Sequence, residues 1–316
     1  MSKIVFRLLL VGLVSMQSVQ AMEWMWLEKM RLSVQQLTYR GEFLHRRGDE
    51  TNVYSVIHQY DKQGGTTELL KQLDGFMVEV LRQGELLTCY FPEGSETAAD
   101  HAVPAAPFTQ LTAMDIERIS QTYKAMEVGE ERVAGFKTKI ISLSTGPWGY
   151  EHRYWLDKGT HMLLQSELID ADGNVLEQFR FTRLELNAVL KPTELTPTVE
   201  SPVLVQKSQI SHLANKQQSK KVKLNWMPNG FMLSHSATSA SAQGWTEKLI
   251  YSDGLTSFSV FVDSAGLKMP QSTMAKMGAT TALMISRDKL GITVIGEVPE
   301  QTALKLAQNV VLVEDF

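Results

Sequence analysis

The chain has 316 residues, 43% of them hydrophobic and 21% charged, with 10 Pro, 21 Gly and a single Cys. At roughly 150 residues per domain this is chain enough for two cores, and a mean hydropathy of -0.13 excludes disordered, collagen-like and polytopic membrane classes. A formal charge of -4 argues against a protein that tracks nucleic-acid phosphates, and one Cys makes neither an intrachain disulfide nor a Cys-rich metal site.

At the N-terminus, Lys3 and Arg7 precede an apolar run from Leu8 to Val14, and Val19-Gln20-Ala21 has the small-x-small pattern of a signal-peptidase site. The run is shorter than the about 20 residues that span a bilayer. Residues 1–21 are therefore expected to be an export signal cleaved after Ala21, rather than an uncleaved anchor, which places the mature protein outside the cytoplasm. No Cys stands at the cleavage point to carry a lipid.

Leu27, Met30, Val34 and Leu37 then form the apolar stripe of a helix, and Tyr39, Gly41, Phe43 and His45 alternate as a strand. Further strands are expected at Asn52–Tyr60, Thr66–Leu73, Phe76–Gln83 and Leu86–Phe91, joined by hairpin signals at Gly64-Gly65, Asp74-Gly75 and Gln83-Gly84. Residues 98–107 read as a loop. Thr112 caps a predicted helix running through Ala125, with Ile116, Ile119 and Tyr123 inward. Strands resume at Arg132–Ser144, Tyr150–Leu156, Leu163–Asp170 and Val175–Asn187, the last two joined at Asp172-Gly173. Short connections make this an antiparallel meander, since parallel strands need long crossovers.

Pro192, Pro197 and Pro202, followed by a Gln/Ser/Lys stretch from Lys207 to Lys221, read as a linker over 191–221, with room for a short helix at its centre. Beyond it, strands are expected at Phe231–His235, Thr246–Tyr251, Thr256–Asp263, Ala279–Ser286 and Ile292–Gly296, and a C-terminal helix begins at Pro299. The expected fold is α+β, with a large curved antiparallel sheet over 22–190 and a smaller antiparallel α+β domain over 222–316. A sheet of some ten strands with two helices curls around an apolar interior. Whether a ligand cavity or side chains fill that interior stays open.

No catalytic constellation stands out. His-Glu-x-x-His, Gly-x-Ser-x-Gly and the P-loop are absent. Ser286-Arg287-Asp288-Lys289 has Ser-x-x-Lys spacing, but its second half reads as a turn. Asp170, Asp172 and Asn174 alternate like calcium ligands, yet Val175 and Phe181 occupy the positions where an EF-hand needs Gly and Glu. The seven histidines are scattered singly, and Cys89 has no adjacent basic residue. No cofactor, metal or catalytic residue is expected. A basic run at Lys216–Lys223 offers an electrostatic contact for an acidic peptide or a lipid headgroup. Six Trp and 15 Met supply contact surface of the kind found at interfaces.

Several segments in order resemble the RseB/MucB family of periplasmic sigma-E factor regulators. They are Tyr39-Arg40-Gly41-Glu42-Phe43, Leu73-Asp74-Gly75 with Glu79-Val80, Arg132-Val133-Ala134-Gly135, Trp226-Met227-Pro228-Asn229-Gly230-Phe231, Leu249-Ile250-Tyr251-Ser252-Asp253-Gly254-Leu255 with Ser257-Phe258-Ser259-Val260, and Ile292-Thr293-Val294-Ile295-Gly296-Glu297-Val298-Pro299. The resemblance covers essentially the whole mature chain. It implies a non-enzymatic periplasmic regulator that binds the periplasmic domain of a transmembrane RseA/MucA-like anti-sigma factor, shields it from the site-1 protease and lets it go when lipid or lipopolysaccharide binds. It also implies that the large domain is similar to the lipoprotein carriers LolA and LolB, an open half-barrel with an apolar cavity. Within that frame Trp226, Phe231, Tyr251, Asp253 and Phe258 are the partner-binding candidates, while Phe43, Val78, Val80, Trp155 and Phe181 are the lipid-cavity candidates. For Trp226 and Phe231, packing of the small core is an equal alternative, and Gly254 reads as a turn residue. The competing functions are a periplasmic lipid or lipoprotein carrier, which would have no need of the second domain, and a hydrolase, which lacks motifs. Nucleic acid is not an expected partner, and self-association is left open.

Overall fold

Period-two alternation gives the chain its first layer. The computed structural model describes residues 22–63, 65–84, 86–92, 116–199, 202–207, 221–242, 244–266 and 272–313. A helix α1 over residues 22–36 leads into β1 Tyr39–Arg47, β2 Glu50–Asp61, β3 Gly65–Gln72, β4 Glu79–Gln83 and β5 Leu86–Tyr90. A short helix α2, Ile116–Ser120, precedes β6 Lys124–Val133, β7 Phe136–Ser144, β8 Glu151–Asp157, β9 Leu163–Ile169 and β10 Val175–Leu186. After a 3-10 turn at Pro192–Leu195 comes β11, Pro202–Lys207. These eleven strands form one open antiparallel sheet, in the order β11-β5-β4-β3-β2-β1-β10-β9-β8-β7-β6.

Register identifies its apolar face. Gly41 of β1 stands opposite Val56, which stands opposite Leu70 and then Val80, while Phe43 stands opposite Tyr54 on one side and Phe181 on the other. The Phe43 ring lies 5.3, 4.8 and 5.9 Å from those of Tyr54, Phe179 and Phe181. Helix α1 joins this cluster through Leu27, Met30 and Val34, none more than 4% exposed. At about 1.5–3 kcal/mol for each large apolar side chain removed from water, those three residues fasten the helix to the sheet.

The second sheet has the order β13-β14-β15-β18-β17-β16. Its strands are β13 Met232–Ser241, β14 Gly244–Ser252, β15 Ser257–Asp263, β16 Ser272–Met277, β17 Thr280–Arg287 and β18 Leu290–Gly296. Helix α2's counterpart here, α3 at Glu300–Gln308, packs Ala303, Leu306 and Ala307 against Leu283, Ile292 and Val294. Two short strands, β12 Val222–Leu224 and β19 Val310–Leu312, pair beside it. Arg287 donates to the carbonyl of Ala307 at 3.2 Å, and also to those of Gln308 and Val310. A cation there suits the negative end of α3.

Several sequence expectations change. The helix predicted through Ala125 ends at Ser120, because Lys124–Val133 is an edge strand. The run Arg132–Ser144 is a hairpin, not one strand: Ala134 and Gly135 turn it with φ of 48° and 90°, the geometry of a tight two-residue loop. Strand β16 escaped notice because all its side chains are exposed, which leaves no apolar alternation to read. Part of the segment expected as a linker is held on the first sheet. There the Thr198 amide donates to Glu79 Oε2 at 2.6 Å, and β11 pairs with β5. Pro202 opens that strand, a position that edge strands tolerate. The expected export signal, the 98–107 loop, Thr112 and the central, basic part of the linker over 208–220 lie outside the described residues.

Gly41 marks the tightest point of the apolar face. A Cβ there would lie 2.6 Å from the Arg183 carbonyl oxygen and 2.9 Å from the Phe181 ring. Gly41→Ala is expected to lower stability by about 1–3 kcal/mol through overpacking. Urea denaturation would register this as a lower midpoint at unchanged slope.

Candidate functional site

The two sheets meet along a seam, and its centre is a turn. Asp253-Gly254 closes β14 onto β15 because the Asp253 carboxylate caps its own loop, accepting the amides of Leu255 and Thr256 at 2.9 and 2.8 Å. Gly254 has φ +102°, which favours glycine. A Cβ on Gly254 would also lie 2.7 Å from Arg118 Nη2 and 3.2 Å from Ile119, both on α2 of the first domain. A Cβ on Gly230, at φ +88°, would lie 2.5 Å from Thr122 Oγ1. Both glycines in the family-like motifs thus serve turn geometry and close domain approach at once.

Across the seam Tyr123 donates its hydroxyl to Asp253 Oδ2 at 2.6 Å, with Tyr123 5% and Asp253 2% exposed. Burial, followed by the Asp253 charge, pushes the Tyr123 hydroxyl well above its ordinary range. The His152 ring meets Tyr123 edge-on at 5.8 Å, and its Nε2 is buried with no hydrogen-bond partner among the described residues. Burial lowers His152 to about 4, against the opposing pull of Asp253 and Glu151. Glu297, at the end of β18, is raised to about 7 by burial and by Glu177, while Arg47 partly offsets the shift.

Further out, Arg47 is held within its own sheet by Glu177 at 3.1 Å and reaches across to donate to Thr280 Oγ1 at 2.6 Å. Tyr150 donates to the Val298 carbonyl at 3.1 Å, and Thr302 of α3 donates to the Trp148 carbonyl at 2.9 Å. Trp148 and Trp226 meet edge to face at 5.0 Å, and the Lys305 ammonium lies 4.0 and 4.2 Å from their ring centres. A cation shared by two indoles from different domains is a clasp, with each cation–π contact worth about 0.5–2 kcal/mol.

The structure distributes the sequence candidates unevenly. Tyr251 and Phe258 are core residues, 5% and 1% exposed and stacked at 5.1 Å. Phe231 packs half-buried on Phe258, Trp226 lies in the clasp, and Asp253 is the seam's buried acceptor. Of the lipid-cavity candidates, Phe43, Val78, Val80 and Phe181 occupy the face covered by α1. Trp155 does not. Its neighbour Tyr154 stands opposite Ser166, which stands opposite Phe179 on that face, so Trp155 points to the other side and donates to Glu131 Oε2 at 2.7 Å. The sequence reading missed Tyr123, His152, Glu297 and Lys305. Trp148 and Trp226 carried a signal as large amphipathic side chains; Lys305 carried none.

Other features resolve as local structure. Asp288 and Lys289, with φ of 51° and 66°, form the turn after exposed Ser286. Asp170 accepts the amides of Asp172 and Asn174 at 3.0 and 2.8 Å, as a turn-capping Asp does. Burial pushes the half-buried Cys89 thiol up, away from reactivity. Among the described residues no group of three or more His, Cys, Asp or Glu is placed to hold a metal, and no helix is long and apolar enough to cross a membrane.

Comparison with known proteins follows these two sheets. Residues 23–199 match the family described as the MucB/RseB N-terminal domain, and residues 216–311 match the MucB/RseB C-terminal domain. The chain is similar to the sigma-E factor regulatory protein RseB of Escherichia coli K12, 30% identical over 299 residues, 90% of this chain and 89% of that protein. It is also similar to the sigma factor AlgU regulatory protein MucB of Pseudomonas aeruginosa, 28% identical and covering 96% and 95% of the two chains. Among solved structures, the Pseudomonas aeruginosa MucA/MucB complex superposes at TM-score 0.74 with 25% identity, covering 93% of this chain and 99% of that one. A crystal structure of MucB gives 0.58 at the same identity, covering 90% and 96%.

Two measurements probe the seam. Tyr123→Phe and Asp253→Asn should each cost about 1.5–3 kcal/mol, as loss of a hydrogen bond to a charged group does, and a double-mutant cycle by urea unfolding should return strong coupling between them. The second is pH dependence. His152, lowered from 6.5, contributes fully above about 6.5 and loses its contribution as pH falls towards 4; Glu297, raised from 4.5 to about 7, contributes fully below 4.5 and loses it as pH rises through 7. Glu297→Gln should therefore raise stability at pH 8 by about 1–2 kcal/mol, after discounting for partial solvation, and leave it unchanged at pH 4. Melting temperatures at the two pH values decide this.

Proposed function

The chain belongs to the MucB/RseB family, and from that premise we propose that it is a periplasmic negative regulator of an envelope-stress sigma factor. In this reading it binds the periplasmic domain of a transmembrane RseA/MucA-like anti-sigma factor, keeps the site-1 protease from it, and releases it when lipid or lipopolysaccharide occupies the apolar face of the large sheet. The observation that carries the partner arm is the likeness to a MucA/MucB complex, at TM-score 0.74 over 93% of this chain and 99% of that one.

The chemistry supports a switch made of two bodies. Much of the seam between the domains is hydrogen bonds and a cation–π clasp, which can exchange with water more readily than a wide apolar interface. A ligand that prefers one domain arrangement shifts the population by its difference in affinity for the two, and by no more. Steric shielding needs no catalytic group. Of the partner-binding candidates, Trp226 and Phe231 keep side-chain surface outside the small core, so they are the ones to touch a partner directly.

A second reading, a periplasmic lipid or lipoprotein carrier of LolA/LolB type, draws on the apolar face under α1. It leaves the second domain and its seam without a purpose. One experiment separates the two. The mature protein should retain the immobilised periplasmic segment of the cognate anti-sigma factor and slow its cleavage by the site-1 protease. Trp226→Ala should weaken retention roughly tenfold, as loss of an interface anchor does, while Tyr251→Phe should leave it unchanged. Failure of the unmodified protein to retain that segment would sink the regulator and leave the carrier.

A further inference from the structure

The face under α1 is not uniformly apolar. One cross-strand row on it is polar from end to end. Tyr39 of β1 stands opposite His58 of β2, His58 opposite Glu68 of β3, and Glu68 opposite Arg82 of β4. Two residues further along β1, the parallel row Gly41, Val56, Leu70, Val80 is apolar and shares the same face. At about 4.8 Å between strands, the polar row is a strip of roughly 14 Å bordering an apolar track.

This strip has unused bonding capacity. The Tyr39 hydroxyl, on a residue 0% exposed, and Arg82 Nε are both buried without a hydrogen-bond partner among the described residues. His58 is 5% exposed and stacks on Tyr39 at 4.8 Å; its Nδ1 donates to the Leu37 carbonyl at 2.8 Å, which leaves Nε2 free to accept. Glu68 is 7% exposed, and Arg82 is half-buried. Buried polar groups are almost always paired, so a row with donors at both ends and acceptors between them is shaped for a molecule that supplies the complements.

We infer that Tyr39, His58, Glu68 and Arg82 form the headgroup site for an amphiphile bearing a phosphate and a primary ammonium, its acyl chain lying along the apolar track. This rests on the lipid-holding arm of the proposed function and names the ligand class for it. Charge decides the class. Arg82 and Glu68 stand side by side with opposite signs, so a phosphate on Arg82 and an ammonium on Glu68 leave neither charge uncompensated. A purely anionic headgroup would set its charge against Glu68, and a quaternary ammonium has no N–H to donate to that carboxylate. The glycerol hydroxyl and ester oxygens then fall to His58 Nε2 and the Tyr39 hydroxyl.

Calorimetric titration of the mature protein tests this, using monomeric decanoyl lysophosphatidylethanolamine, lysophosphatidylcholine and lysophosphatidylglycerol, with chain-free glycerophosphoethanolamine as a fourth probe. The ethanolamine lysolipid should bind about tenfold more tightly than the other two, the margin of one charge-assisted hydrogen bond, and the chain-free headgroup should not bind measurably. E68Q and R82Q should erase that preference. Y39F, which removes a single oxygen and keeps the stacked ring, should weaken the ethanolamine lysolipid several-fold, and it carries the test should either charge variant fail to fold. K71Q, on the opposite face of β3, should change nothing. Binding of all three lysolipids with equal affinity overturns the inference while leaving the lipid-holding arm standing. Binding of none overturns both, and tight binding of glycerophosphoethanolamine overturns the amphiphile.

Discussion

One apolar face has to be kept from water, and the rest of the structure answers to it. Eleven antiparallel strands bring Phe43, Tyr54, Val56, Leu70, Val80, Phe179 and Phe181 onto one side. A single long helix, α1, covers them with Leu27, Met30 and Val34. A fully apolar lining would be stable and featureless. This lining includes the Tyr39–Arg82 strip at one end and the His152–Tyr154 pair, 3.5 Å between Nδ1 and hydroxyl, on a strand that runs to the seam. Both places give up polar satisfaction, and both lie where a second molecule or a second domain can restore it.

The seam is built by a different chemistry from either core. Inside each domain the contacts are aliphatic and aromatic, and their stability scales with area. Between the domains, Asp253, Tyr123, Arg47, Glu177 and Thr302 make directed bonds, and two glycines remove the side chains that would hold the bodies apart. Apolar contact between them includes a small cluster around Tyr150, Leu168 and Ala279, Leu255 against the first core, and the Trp148–Trp226 pair. Directed bonds define one arrangement sharply but vanish together once the geometry is lost.

The sequence was most informative where burial is one-sided. The strands of the first meander could be read from alternation and from hairpin signals such as Asp74-Gly75 and Asp172-Gly173, because one face of each is apolar and the turns need glycine. Strand β8 defeated the same logic. Its run His152–Asp157 is buried on both faces apart from Arg153, so alternation could not show that Trp155 points away from Phe43. Strands β6 and β16, mostly or wholly exposed, carry no apolar period at all. The Asp253-Gly254 turn was readable as a turn, but not as the seam's acceptor, since its partner Tyr123 lies 130 positions away in a stretch that imitates a helix. Long-range polar pairs leave no periodic trace; hence the fold was more legible than the site.

Strand β1 joins the two polar places. Tyr39 begins it in the strip, and Arg47 ends it in the seam, where it reaches Glu177 and Thr280. Over nine residues at about 3.3 Å each the two ends are roughly 26 Å apart, too far for direct electrostatic coupling in saline solution. Any influence of a bound lipid on the seam must then be mechanical, through the packing of α1 and the twist of a sheet shared by both sites. Its size is bounded. Reversing a seam that favours one arrangement 99 to 1 takes about 5.5 kcal/mol of differential affinity, the scale of two or three charge-assisted hydrogen bonds. The polar strip offers about that many to a headgroup, whereas an acyl chain alone, held equally well in both arrangements, would shift nothing. In the proposed reading, headgroup recognition rather than hydrophobic occupancy is what would let such a sheet signal.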